Sequence, residues 1–346
     1  MQTVTTSDWQ KWWARYGTVS LVGAGLVVLT LISYANNAIV TQAVLSSTLR
    51  QSTPLILGAL CGLLGERSGV INIGIEGQML MGAFVGFMTN VWLSSMPELG
   101  DGPRLLIAVS AGVLTGAVLG ALLALMSVTL KIDQIIGGTV INILALGITG
   151  FFYSVGVTTS GKLQAIPLGP LTDIPLIGPV LFDNPPITYA TILLVFLVHY
   201  VLFHTRWGLR TRAVGEHPRA ADTLGVNVFT IRYVNVMIGG ALAGLAGVFL
   251  TLEAVGSFER AMTNGRGFVA LAVMIFGKYT PLGSWGAALL FGFATAMQTQ
   301  LQFGGEIDIP HQFIGMLPYI LTIVVLAGFV GRTRVPAADG VPYEKE

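Results

Sequence analysis

The chain has 346 residues, 53% hydrophobic and only 10% charged, with a mean hydropathy of +0.75. Soluble domains carry about 25% charged residues, so a water-facing surface around the whole chain is excluded and the bilayer is its main solvent. A net charge of +1 leaves no basic footprint for nucleic acid.

The N-terminal segment 1–16 holds Lys11 and Arg15, with Trp9, Trp12, Trp13 and Tyr16 as interface anchors. No small-x-small cleavage site follows the first apolar run, so an uncleaved span is expected there. A hydrocarbon core of about 30 Å takes about 20 helical residues. On that ruler ten segments are expected to span: 17–35, 40–64, 70–94, 104–130, 135–157, 187–205, 233–252, 266–277, 283–303 and 311–330. The second contains Arg50 and Pro54 and is expected to be bent or half buried. The eighth is short: a half-helix, or a tilted span extended back into 255–266. The single cysteine, Cys61, excludes an internal disulfide and reads as a small buried hydrophobe.

Between the spans, 158–186 is a proline-rich outer loop, stiff and irregular. Residues 206–232 form the longest and most basic inner loop, and 331–346 an inner tail. Lys11, Arg15, Arg67, Lys131, the arginines of 206–232, Lys278, Arg332, Arg334 and Lys345 fall on one side. Arg104, Lys162, Arg260 and Arg266 fall on the other. That bias places both termini in the cytoplasm. The fold class expected is an all-α polytopic membrane protein of about ten transmembrane helices, with 17–330 as one membrane domain. Gly112, Gly116 and Gly120, Gly82 and Gly86, and Gly240 and Gly244 repeat every four residues, a spacing that lets helix backbones approach closely.

Polar residues at membrane depth form three groups. Asn72 and Glu76 lie one helical turn apart, hence on one face, with Gln78 beside them. They either lock two helices together or line a solute pathway. Gly74 and Gly77 flank Glu76 and invite a break, as broken helices do in many transporters. The second group is Asp133, Gln134, Thr139 and Asn142, where Gly137 and Gly138 again invite a break. The third is Gln298, Gln300 and Gln302 with Thr295 and Thr299. His199 and His204 have no acidic partner at helical spacing, so no proton relay is evident.

Catalytic motifs are missing. GVTTSGKL (156–163) follows a phosphate-binding loop for seven positions, then places Leu163 where magnesium needs Ser or Thr. It also falls on the outer side. No HExxH or GxSxG occurs.

In RTRAVGEHPRAADTLGVNV (210–228), Pro218 suits a first helical position and Gly225 the position past a helix end. A short helix between two turns is expected, with Ala220, Ala221 and Leu224 as its apolar face. It serves either as a docking peg for a soluble partner or as an amphipathic helix on headgroups.

Three stretches carry a resemblance: GERSGVINIGIEGQMLMGAF (65–84), RAVGEHPRAADTLGVNV (212–228) and GRGFVALAVMIFGKYTPLGSWGAALLFG (265–292). They resemble the permease subunits of bacterial ABC importers in the branched-chain amino acid and ribose-type permease family, most nearly its nucleoside (simple sugar) branch. The similarity covers about residues 40–330. It departs at His217, where the family usually has Asn, a better helix cap.

The resemblance implies a type II-importer-like bundle in the bacterial inner membrane. It implies a cytoplasmic ABC ATPase that uses ATP and Mg, while this chain binds no cofactor or metal. It further implies a second related permease subunit or a homodimer, and an extracytoplasmic substrate-binding lipoprotein. Carried over by position, Gly215, Glu216, Pro218, Arg219, Ala220, Ala221 and Gly225 would couple to the ATPase. Asn72, Glu76 and Gln78, with Thr139 and Asn142, would line the pathway for a nucleoside, a simple sugar or a branched-chain amino acid. The rivals from other classes are an ion-coupled secondary transporter, with Glu76 as its one candidate ion site, and a lipid-acting enzyme, for which no catalytic cluster is found.

Overall fold

The computed structural model describes residues 28, 30–96, 98–158, 161–303, 313, 315, 316, 320 and 334–345. Segment 1–16 with its tryptophans, residues 304–310, and most of the expected spans 17–35 and 311–330 lie outside the described residues.

Helices occupy the other eight expected segments. They are α1 (Ala38–Arg67), α2 (Ile75–Leu93), α3 (Asp101–Ala124) and α4 (Gln134–Phe152). A short α5 (Ile177–Leu181) lies in the outer loop, followed by α6 (Pro186–His204), α7 (Arg206–Glu216) and α8 (Pro218–Thr223). Then come α9 (Val228–Val248), α10 (Arg266–Phe276) and α11 (Pro281–Phe303). Two of them run on into π turns, α3 into Leu125–Thr129 and α9 into Phe249–Val255. With those turns, four helices among the described residues are long and apolar enough to cross a membrane: 101–129, 134–152, 186–204 and 228–255. At 11 residues α10 is about 16 Å long, half a span.

α1 is the hub, packed against α6, α9, α10 and α11. Its helix runs through Pro54 unbroken, and every residue from Ser52 to Glu66 is buried. Residues 40–51 ahead of that stretch are mostly half-buried or exposed, so burial is confined to the second half, where packing on several sides outweighs the backbone bond lost at Pro54. Arg50 lies toward the outer end, where its guanidinium donates to the Asp183 carbonyl at 3.1 Å.

The outer loop is more ordered than its prolines suggest. β1 (Ile166–Pro167) pairs antiparallel with β2 (Asp183–Asn184), around a 3₁₀ turn at Gly169–Asp173 and α5.

The glycine repeats form one seam. On α3, a Cβ at Gly112 would lie 2.7 Å from the Gly82 carbonyl of α2. A Cβ at Gly116 would strike the Gly240 carbonyl of α9, and one at Gly120 would lie 2.6 Å from the Val236 carbonyl. Backbone meets backbone across α2, α3 and α9, as small-residue spacing allows.

Three boundaries differ from expectation. α4 ends at Phe152, because Tyr153 turns extended and Gly156 takes φ +84°. α4 is also unbroken through Gly137 and Gly138. Gly138 instead admits a neighbour: a Cβ there would lie 2.7 Å from the Gly74 nitrogen. The inner loop 206–232 is mostly helix, two helices rather than one, and its last residues belong to α9, which Asn227 caps by accepting from Thr230 N–H at 3.0 Å.

Candidate functional site

After α1 the chain leaves its helix. Gly69 takes φ +86°, residues 70–74 are non-helical, and α2 begins only at Ile75. Asn72 and Glu76 thus do not share a helical face. The backbone groups freed in this segment find side-chain partners on α4, as buried N–H and C=O groups must. Gln134 Oε1 accepts from Ile71 N–H at 2.7 Å. Asn142 Oδ1 accepts from Gly77 N–H at 2.7 Å, and its Nδ2 donates to the Ile73 carbonyl at 3.0 Å.

Asn72 turns the other way, into a small polar knot. Its Nδ2 donates to Gln78 Oε1 at 3.0 Å and lies 3.3 Å from Cys61 Sγ of α1. All three side chains are buried. Thr139 stands apart from them, on the exposed face of α4, with its hydroxyl bonded to the Ile135 carbonyl. The five pathway residues therefore form no single wall within this chain: Asn72 and Gln78 are knotted, Asn142 braces the break, Thr139 faces out and Glu76 is half-buried.

Glu76 spends its carboxylate on a helix end. Oε1 accepts from Gly265 N–H at 2.8 Å and Oε2 from Gly267 N–H at 2.6 Å. These are among the unpaired N–H groups at the start of α10, where the helix dipole favours negative charge. Gly267 is obligatory, since a Cβ there would lie 2.5 Å from the Glu76 nitrogen.

Sequence reasoning missed a second acid of the same kind. Glu253 accepts from Ile187 N–H at 2.7 Å, Thr188 N–H at 3.2 Å and the Thr188 hydroxyl at 2.6 Å, capping α6. Its signal was available: a lone glutamate in the apolar run FLTLEAV, the pattern that drew attention to Glu76.

Beyond α6, α7 and α8 break at His217, whose side chain caps nothing. Gly225 takes φ +80° just past α8, as its position required. Gly215 is buried, packed so closely on the Arg67 carbonyl and Gly69 that no Cβ fits. Ala221 is also buried. Glu216, Arg219, Ala220 and Gly225 are exposed and Pro218 half-buried; Leu224 is 84% exposed.

The turn beneath Gly215 is held from several sides. Arg67 donates to the Tyr279 carbonyl at 2.7 and 3.0 Å. Arg232 of α9, 1% exposed, donates to the Ser68 carbonyl at 3.1 Å and to the Val341 carbonyl at 2.9 Å. Asp339 interacts with Glu66 and Arg232 in the same place. Burial pushes the Asp339 carboxyl up to about 6, against the lowering pull of Glu66, the Gly340 backbone and Arg232. Arg232 was read as a loop residue and Asp339 as tail; neither shows its partners in sequence.

Residues 44–326 match the family described as branched-chain amino acid transport system / permease component. The chain belongs to that family. Among curated proteins, the permease is 40% identical over 320 residues to the guanosine ABC transporter permease protein NupQ of Bacillus subtilis, covering 88% of this chain and 98% of that one. It is 39% identical over 316 residues to the nucleoside ABC transporter permease protein NupC of Lactococcus lactis, covering 88% and 97%. It is 33% identical over 334 residues to a putative glucose ABC transporter permease protein, TsgC13, of Haloferax volcanii, covering 87% and 97%. Bacillus subtilis contributes a second, more distant match, the guanosine ABC transporter permease protein NupP, 28% identical over 306 residues.

Proposed function

We propose that this permease is one membrane half of an ATP-driven nucleoside importer. The observation that carries the solute class is the similarity to guanosine and nucleoside permeases along almost the full length of both chains. NupQ and NupP are both guanosine permeases of one organism and both resemble this chain, which favours a second, related permease as its partner. The remaining parts are a cytoplasmic ATPase using ATP and Mg, and an extracytoplasmic binding lipoprotein. The bundle sits in the inner membrane with ten spans and both termini inside.

The geometry supports a route for mechanical coupling. Glu216, Pro218, Arg219, Ala220 and Gly225 offer a surface to the ATPase, while Gly215 and Ala221 seat it on the bundle. Gly215 presses on the Arg67–Gly69 turn, and that turn leads directly into the broken segment 70–74. Beyond it Glu76 holds the start of α10, and Asn142 holds α4. A shift of α7 and α8 is thereby applied to the turn from which the non-helical segment starts, the kind of bistable element that alternating access needs. The solute pathway lies between the two permease subunits, with Thr139 on an outward face available to line it.

Reconstitution tests the reading. Vesicles holding both permeases, the ATPase and the binding protein should accumulate labelled guanosine or uridine with ATP and resist an ionophore. Uptake by this chain alone, abolished by the ionophore, would establish a secondary transporter instead. Glucose uptake without nucleoside uptake would favour the sugar reading, which the similarity to TsgC13 supports.

A further inference from the structure

We infer that Arg266 and Asn264 contact the solute at the middle of the pathway, and that the free edge of the Arg266 guanidinium selects nucleosides whose base is a 6-oxopurine. The inference rests on the nucleoside reading above and adds to it a site and a preference among bases.

Contacts with α4 fix the level of these residues. α4 is long and apolar enough to cross a membrane, and Asn142 is the ninth of its 19 residues. Asn142 accepts from the N–H of Gly77, next to Glu76, and Glu76 in turn accepts from Gly265 and Gly267. The start of α10 therefore lies near the middle of α4. The chain reaches it from the far end of α4, where a Cβ at Gly150 would lie 3.3 Å from the Arg260 guanidinium. Gly150 and Asn142 are about 12 Å apart along the helix. Residues 260–265 cover that distance as turns, without forming a helix.

Two features here run against local rules. Ala261 and Asn264 both take left-handed backbone, with φ +56° and +45°, a region that side chains other than glycine's seldom enter. Arg266 places a cation on the first residue of α10, at the positive end of the helix dipole, where the nearby Glu76 carboxylate offsets it. Strain and misplaced charge of this kind collect at functional sites. A guanidinium halfway along a span faces the bundle interior or a water-filled cavity and marks a solute route. Its hydrogen bonds show which edge is free. Nη1 donates to the Met262 and Thr263 carbonyls at 3.1 and 3.4 Å. Nε and Nη2 make no hydrogen bond among the described residues, and neither is sealed from solvent as the Arg232 Nη2 is. These two atoms carry parallel N–H groups, the fork that binds two adjacent acceptors. O6 and N7 of guanosine or inosine are such a pair, and arginine reads them bidentately. Adenosine keeps N7 but turns an amino donor at N6 toward the fork. Asn264 is exposed, two residues away, and its side chain has no partner among the described residues. It offers donors and an acceptor to the ribose hydroxyls.

Two measurements on the complete importer in vesicles test this. The chain's one cysteine, Cys61, is buried, so Asn264→Cys supplies its only accessible thiol. A charged, membrane-impermeant methanethiosulfonate should label that thiol, as read by mass spectrometry of the permease, and inosine should slow the labelling more than adenosine does. No labelling, with or without ATP, takes Asn264 off the route and overturns the site. Equal protection by the two nucleosides overturns the preference, and this arm needs no change at Arg266. The second measurement compares ATP-driven uptake of inosine and adenosine, which share a ribose. Arg266→Lys keeps the charge and loses the fork, so the inosine-to-adenosine ratio should fall about tenfold. The binding protein is the same throughout, so its own selectivity cancels. An unchanged ratio, whether uptake falls or not, makes Arg266 a structural residue and ends the proposal while the nucleoside reading stands. Uptake of neither nucleoside by the wild-type complex removes the nucleoside reading and the preference with it.

Discussion

Glu76→Gln keeps the side chain's length and removes its charge. The native carboxylate receives two backbone N–H groups, from Gly265 at 2.8 Å and Gly267 at 2.6 Å. An amide offers one acceptor oxygen, and its NH₂ would face the second N–H, donor against donor. Losing one charge-assisted bond costs about 2 kcal/mol, and making the other a neutral bond about 1 more. Losing the negative charge at a helix N-terminus adds about 0.5 kcal/mol. Glu76 is half-buried, so water offsets part of this, and about 3 kcal/mol is expected for the start of α10. Hydrogen exchange of the 265–268 amides reads that loss directly. Their protection should fall about a hundredfold, with the amides of α1 unaffected. Glu76→Asp keeps the charge and should fall between. Protection within about threefold of wild type in Glu76→Gln would refute the capping role, because the bond energies above leave no room for so small a change.

Gly116→Ala places a Cβ against the Gly240 carbonyl and 2.7 Å from the Gly244 backbone, so it should cost at least about 2 kcal/mol in thermal unfolding. Gly147→Ala, which meets nothing within 4 Å, is the neutral control; equal melting of the two would contradict the seam. Glu253→Gln should loosen the start of α6, read as faster exchange at Ile187 and Thr188, by the same reasoning as Glu76. Asp339 is raised from 3.8 to about 6 in the docked tail, so docking takes up a proton between those values. Docking is therefore firmest at low pH and weakens by about 1–2 kcal/mol as pH rises through 4 to 6 and Asp339 ionises. Protease cleavage of the tail should quicken over that window, and Asp339→Asn should flatten the slope. An unchanged slope in that variant would refute the assignment to Asp339.

Apolar runs located the helices well because length and hydropathy are local properties. The glycine spacing likewise gave the seam, since small residues every four positions on α3 need only a matching face, and Gly82, Gly240 and Gly244 supply it. The resemblance supplied the family, which matches residues 44–326. What failed was anything decided at long range. Asn72 leaves its helix because Gln134 and Asn142, more than sixty residues on, offer its neighbours' backbone other partners. Gly137 and Gly138 looked like breakers, yet Gly138 is there to admit Gly74. Arg232 fell in the inner loop and Asp339 in the tail, and only folding brings them against Ser68, Val341 and Glu66.

Glu76 and the amides it caps are separated by 189 and 191 residues. A ribosome adding about 5–20 residues per second takes about ten to forty seconds to cover that distance. Throughout it, Glu76 is without the helix end it serves. Glu253 has no such delay, since Ile187 and Thr188 precede it by about 65 residues and are already made. The order of synthesis thus gives the two acids opposite histories: Glu253 is made after its partner amides and Glu76 long before its own.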